Sequence, residues 1–361
     1  MPNSQRVDSL VAEKSGIQSD ILVVGPSWVG DMVMAQSLFK TLKAQNSDSH
    51  IDVIAPAWSV PVLQRMPEVR QAIVLDTAHG ELGIKKRYRL GKSLRGKYQR
   101  AIILPRSLKS ALVPFFAQVP VRTGFKGEVR FGLINDIREF DKTHLNQTVK
   151  RFVALGLSLD AAKDTFVFDN PKLRIDSDAQ QRCLSKFGLD SARPAIALFP
   201  GAEYGPAKQW PLAYFEELAL RLVQEGFQVW IMGSQKDYAA GEVIVGKTEP
   251  TEKPRHMVNC CGKTSIAEVV DLIAYCKAAV SNDSGLMHVA AAANCPVVGI
   301  YGSSNPEFTP PLSTRANILY LDLQCSPCFK RQCPLKHLDC LRQISPQNVF
   351  NSLKELLSYS L

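Results

Sequence analysis

Eight short aliphatic runs recur along the 361-residue chain, each ending in glycine-, proline- or acid-bearing sequence, most with helical periodicity before the next. The first four are Ile21–Gly25, Ile51–Pro56, Ala72–Asp76 and Ala101–Pro105. The second four are Ala195–Gly201, Val229–Gly233, Ala278–Asp283 and Pro296–Gly302. Nearly every residue in them is apolar, rather than every second one. That pattern fits strands buried on both faces, as in a parallel sheet covered by helices. Between the runs, Pro211–Glu225 puts Leu212, Phe215, Leu218 and Leu222 on one stripe before a stop at Gly226. Ser265 and Glu268 form a capping-box pattern, and Ser345 caps a last helix with Val349, Leu353, Leu356 and Leu357 inward. Two such blocks predict an α/β protein of two doubly wound domains. We expect a disordered tail over 1–19, a first domain over 20–175, a second over 176–345 and a C-terminal helix over 346–361.

The first 20 residues are polar, and no stretch of about 18 apolar residues occurs. We therefore expect a cytoplasmic chain whose nine cysteines are reduced. The net charge of +9 favours an anionic partner. Lys85, Lys86, Arg87, Arg89, Lys92, Arg95, Lys97 and Arg100 carry much of it, with no acid among them. Such a run suits a solvated helix face, an anionic membrane or acceptor, or nucleic acid. With only Tyr88 and Tyr98 interleaved, a single-strand stacking platform is weak.

In doubly wound sheets ligands bind beyond the carboxyl ends of the strands. After the first run comes Gly25-Pro-Ser-Trp28-Val-Gly30-Asp31-Met32, which has neither the Lys-Ser/Thr of a phosphate loop nor GxGxxG. Asp31 is either a helix N-cap or a general base at a strand tip. In the second block, Pro200–Pro211 is a long Gly/Pro-rich loop carrying Lys208, which is either solvated or set to neutralise a phosphate leaving group. Asp283-Ser284-Gly285 precedes an alanine-rich helix. Ser284 and Gly285 offer backbone N–H groups to an anion, Asp283 suits sugar hydroxyls, and His288 follows one turn later. The alternatives are a simple cap and a core histidine. Finally, Cys325, Cys328, Cys333 and Cys340, with His337 between the last two, fit a structural zinc site, free thiols or a redox pair.

Seven segments in order resemble the ADP-heptose:lipopolysaccharide heptosyltransferases of glycosyltransferase family 9, type II branch. They are Gly25–Met32, Ile51–Trp58, Arg65–Glu68, Leu108–Phe116, Pro200–Lys208, Asn282–Ala291 and Phe308–Leu312. The resemblance spans about residues 20–358. It implies the GT-B architecture, with two Rossmann-like domains facing a cleft and the donor on the C-terminal one. It further implies inverting transfer of heptose from ADP-heptose to the first heptose of the lipopolysaccharide inner core, with no metal required for catalysis. By that resemblance Asp31 is the base and Lys208 stabilises the leaving diphosphate. Glu203, Tyr204, Gln235, Asp283, Ser284, Gly285 and His288 are donor-side residues, and Trp28, Lys109 and Arg122 acceptor-side residues. The related type I group has hydroxyl residues where Glu203 and Tyr204 stand and an acid where Gln235 stands. The basic run, in the first domain, would meet a phosphorylated, membrane-held acceptor, which implies peripheral contact with the cytoplasmic face of the inner membrane. Competing readings are a type I or III heptosyltransferase, a nucleotide-sugar epimerase and a nucleic-acid-binding module. The last leaves Asp31, Lys208 and Asp283 without a task, so we expect no nucleic-acid partner.

Overall fold

A computed structural model describes residues 20–78, 80–189, 192–246 and 256–358. The expected tail, residues 1–19, and the last residues of the expected C-terminal helix, 359–361, lie outside the described residues. The eight aliphatic runs form β1 (Ile21–Val24), β2 (Ile51–Ala55), β3 (Val69–Val74), β4 (Arg100–Ile103), β7 (Ala195–Phe199), β8 (Gln228–Ile231), β10 (Ala278–Asn282) and β11 (Val297–Ile300). Four further strands, β5 (Val121–Phe125), β6 (Asp136–Arg138), β9 (Met257–Asn259) and β12 (Ala316–Leu319), lie at or next to sheet edges. Their sequences are short or mixed because an edge strand needs less apolar cover; β12, for example, has no buried residue.

The strands form two six-stranded sheets, ordered β3-β2-β1-β4-β5-β6 and β12-β11-β10-β7-β8-β9, with every pairing parallel. Read from β9, the second order repeats the first. Both are the doubly wound dinucleotide-fold order, whose direction reverses between the first and fourth strands. The two-domain α/β architecture expected from the sequence is therefore present.

The principal helices are α1 (Val29–Gln45), α2 (Ile84–Ser93), α3 (Thr148–Gly156), α4 (Ser177–Phe187), α5 (Leu212–Gln224), α6 (Ile266–Tyr275), α7 (Gly285–Ala292) and α8 (Pro346–Ser358). One apolar core runs between the sheets and takes Val23, Leu38 and Phe39 from the first half with Phe199, Trp230 and Met287 from the second. A second core lies under α5 and α8, where Leu218, Leu222, Val349 and Leu353 meet Ile196 and Val298. The C-terminal helix is thus part of the second unit's packing.

The changeover between units is an irregular strap. Leu173 N–H donates to Ala292 O (2.8 Å) in the second half, and Arg174 N–H to Arg65 O (2.8 Å) in the first. The Gln36 amide grips both backbone groups of Lys172, donating to its carbonyl at 2.8 Å and accepting its N–H at 2.9 Å. Beside it Arg65 pairs at 2.5 Å with the fully buried Asp271 carboxylate of α6, which also accepts the Asp176 N–H at 2.9 Å. Removing one member of a buried pair strands the other's charge, at about 3–5 kcal/mol. Arg65→Met should lower the urea midpoint by about that free energy, and Arg65→Met with Asp271→Leu should recover part of it; chemical denaturation of both variants is the check.

Candidate active site

The loops after β1, β7 and β10 converge on one cleft, where Asp31 comes within electrostatic reach of Lys208 and Asp283. Two helix starts approach each other closely there. A Cβ at Gly30 would lie 2.7 Å from His288 Cδ2 and 3.4 Å from the Gly285 Cα. A Cβ at Gly285 would lie 3.3 Å from the Gly30 nitrogen. A side chain at Gly30 would press on the His288 ring, so glycine there allows the amino ends of α1 and α7 to meet this closely.

Asp31 is the third residue of α1, whose N-cap position is Trp28, so the N-cap reading of Asp31 is corrected. Its side chain is partly buried and faces Lys208 and Asp283 of the other half. Burial pushes its pKa up to about 6, with Asp283 adding to the rise and Lys208 opposing it. Burial has the larger weight, as for a carboxyl tuned toward proton transfer near neutrality.

Lys208 and Asp283 are partnered with each other. Lys208 Nζ lies 2.5 Å from Asp283 Oδ2, and the Ser304 hydroxyl donates to the same oxygen. Asn282 locks this arrangement: its amide donates to Pro200 O (2.6 Å) and its Oδ1 accepts the Trp210 N–H (2.9 Å), fastening the Lys208 loop to the tip of β10. Lys208 also stands over the Tyr204 ring, 5.1 Å from its centroid. Ser284 occupies the N-cap of α7 without capping it by its side chain; its hydroxyl lies 3.2 Å from that of Ser281. The first backbone N–H groups of α7, beginning at Gly285, are therefore left for an incoming anion. His288 is buried, its Nδ1 has no hydrogen-bond partner among the described residues, and burial lowers its pKa to about 4, so it is a neutral wall of the cleft.

The remaining sequence candidates are more scattered. Glu203 is exposed and paired with Lys236, and Gln235 is exposed on the turn after β8. Trp28, 43% exposed, stands at the cleft edge near Trp58, whose indole N–H donates to Ser27 O at 3.1 Å. Lys109 lies on the turn after β4, its Nζ 3.5 Å from Glu81 O. Arg122 is not brought to the site. It is level with Leu22 through Ala101, toward the amino end of the sheet, and its guanidinium donates to the carbonyls of Val119, Gly132 and Leu133. The family resemblance groups it with the acceptor-side residues; strand register sets it toward the amino end of the sheet. Asn282 and Ser304 were missed. Asn282 stands inside a quoted motif, whereas Ser304 is joined to Asp283 only by the folding of β10 against β11. The four cysteines of 325–340 are free thiols, and no three His, Cys, Asp or Glu side chains among the described residues are close enough to hold a metal ion as they stand.

The folded pKa of Asp31 exceeds its ordinary value of 3.8. Its favourable contribution to stability is fully present below about pH 4 and is lost as pH rises through about 6. Asp31→Asn should therefore resist urea better than the wild type above about pH 7, with the gap closing toward pH 4; denaturation midpoints across pH measure this.

The model of glycosyltransferase family 9 (heptosyltransferase) matches residues 87–339. Lipopolysaccharide heptosyltransferase 2 of Salmonella typhimurium is 48% identical over 345 residues, covering 94% of this chain and 98% of that protein. Its namesake from Escherichia coli is 46% identical over 342 residues, covering 93% and 98%. The solved structure of Escherichia coli ADP-heptose lps heptosyltransferase II has a TM-score of 0.85 at 45% identity, covering 94% of this chain and 99% of that one. The chain belongs to glycosyltransferase family 9, the heptosyltransferases.

Proposed function

We propose that this heptosyltransferase moves L-glycero-D-manno-heptose from ADP-heptose onto the first heptose of the lipopolysaccharide inner core, by a single inverting displacement. The observation that carries the mechanism is the facing of Asp31 in one half toward the Lys208–Asp283 pair in the other, with the Asp31 pKa raised to about 6. The acceptor hydroxyl gives its proton to the Asp31 carboxylate while its oxygen bonds to the anomeric carbon. The bond from that carbon to the diphosphate breaks on the opposite face, and ADP leaves with the electron pair. Lys208 and the free N–H groups of α7 stabilise the charge that develops there. A diphosphate competes with Asp283 for Lys208, and an Asp283 released in this way accepts hydrogen bonds from heptose hydroxyls.

Release of ADP from ADP-heptose, with and without mono-heptosylated Kdo2-lipid A, tests the reading. We expect acceptor-dependent release and a product heavier by one heptose. Release only with the unheptosylated acceptor would move the assignment to type I, and silence with both would overturn it. Asp31→Asn should reduce turnover by at least about 100-fold, the scale of a lost general base. Wild-type turnover should fall as pH drops through about 6, where Asp31 takes up a proton.

The acceptor is lipid-anchored in this reading, so the enzyme works against the cytoplasmic face of the inner membrane. The support is the outer face of the first half. Lys85, Lys86, Arg89 and Lys92 of α2 are exposed beside exposed Leu82, Ile84 and Tyr88. The basic run is not one uniform charged face. Arg87, Arg95 and Arg100 donate to the carbonyls of Leu82, Phe116 and Leu155 and belong to the packing. Vesicles rich in anionic lipid should retain the protein at low salt, and charge reversal at Lys85, Arg89 and Lys92 should release it. Equal behaviour of the two proteins in a sedimentation assay would remove the membrane from the proposal.

A further inference from the structure

Between β12 and α8 the chain runs from Tyr320 to Ser345 with one short helix, Asp339–Arg342. Irregular segments this long are uncommon in compact domains unless something fastens them or they carry function. Its end is anchored by the buried Leu341 and Ile344, but its middle has little apolar anchorage: Phe329 and Leu335 are 53% and 59% exposed. It is nonetheless built into the donor side of the cleft. Tyr204 OH donates to Phe329 O (2.8 Å), and Ala207 N–H donates to Arg331 O (3.1 Å). The Arg331 carbonyl lies 2.6 Å from where a Cβ at Gly205 would stand, and the Arg331 guanidinium stands over the same Tyr204 ring as Lys208. The loop presenting Lys208 thus rests on the backbone of residues 329–331.

Four of the chain's nine cysteines are in this segment. Cys325, Cys328, Cys333 and Cys340 line one cavity of about 30 Å³, together with Ser303, His337 and Ala207 of the Lys208 loop. The backbone N–H groups of Leu335, Lys336, His337 and Leu338 lie around the Cys333 sulfur. Cys340 is buried, with the other three cysteines around it. His337 Nδ1 accepts the Asp339 N–H at 2.9 Å, and the four sulfurs make a complete tetrahedral donor set without the imidazole. The four sulfurs line one cavity and no disulfide joins them, so all four are available to a shared ion.

We propose that Cys325, Cys328, Cys333 and Cys340 bind one transition-metal ion as a tetrahedral tetrathiolate of the kind zinc or iron takes. The ion fastens the 325–340 segment as the backing of the loop that presents Lys208. The second half of this proposal rests on the donor-side role given to Lys208 above; the first does not.

The test uses the full chain purified under reducing conditions. Elemental analysis should find about one zinc or iron per chain and tell the two apart. Exchange to cobalt(II) should give the intense visible absorption of a tetrathiolate. Cys325→Ser, at the exposed ligand, and Cys333→Ser should each weaken metal retention at least tenfold against a chelator. Metal-free protein that is silent to added cobalt(II) and zinc, with all four cysteines alkylated at the rate of free thiols, overturns the site. So does a disulfide among them, found by mass. Removing the ion should raise the KM for ADP-heptose at least threefold and expose the 325–340 segment to protease. A bound ion whose removal changes neither readout overturns the positioning role and leaves the site. Protease exposure with no turnover in the loaded enzyme would point to failure of the proposed function rather than of the metal site.

Discussion

The amino ends of α1 and α7 meet at Gly30 and Gly285, where a Cβ on Gly30 would lie 2.7 Å from the His288 ring and one on Gly285 would lie 3.3 Å from the Gly30 nitrogen. Each helix belongs to a different sheet, so this contact sets how the two halves face each other. It also aims the positive ends of two helix dipoles at one point of the cleft. A site of that kind attracts anions before any side chain is counted. The shared core, which takes Leu38 and Phe39 from α1 and Met287 and Val289 from α7, holds the crossing from below. The Arg65–Asp271 pair and the strap through Lys172–Arg174 hold it from the side.

The charges in the cleft follow from that crossing. Burial of Asp31 is the main cause of its pKa near 6, with the neighbouring Asp283 carboxylate adding to the rise and Lys208 opposing it. Lys208 is itself held by Asp283, so one cation is shared between the two halves of the cleft. The same desolvation keeps His288 neutral, so it shapes the cleft without adding charge.

The fold was largely legible because strands buried on both faces leave continuous aliphatic runs. All eight runs became strands, and the Ser265–Glu268 capping box starts α6 as expected. The edge strands β6, β9 and β12 were hidden because half-covered strands carry mixed sequence. The site motifs were legible as strand-tip segments, and the fold brings Asp31, Lys208, Asp283, Gly285 and His288 from those segments to one cleft. Arg122 shows where such reading ends: a resemblance assigns it to the acceptor side, but only the strand register shows that it lies toward the amino end of its sheet. The basic run shows the same limit, since charge in sequence does not reveal which guanidinium groups are spent on backbone carbonyls. The four cysteines could be grouped from spacing, but their position behind the Lys208 loop could not.

The sequence by itself determined the two parallel sheets, the loops that carry chemistry and the family, because each is written in local pattern: aliphatic runs, caps, glycines and short motifs. Tertiary structure decided everything that depends on distance between the halves. It paired Lys208 with Asp283, brought Ser304 onto the same carboxylate, set the Asp31 carboxyl against both and seated residues 329–331 beneath the Lys208 loop. The physical reason is that electrostatics and desolvation act through space, and the chain reports spatial neighbours only after Gly30 and Gly285 have brought the two helices together.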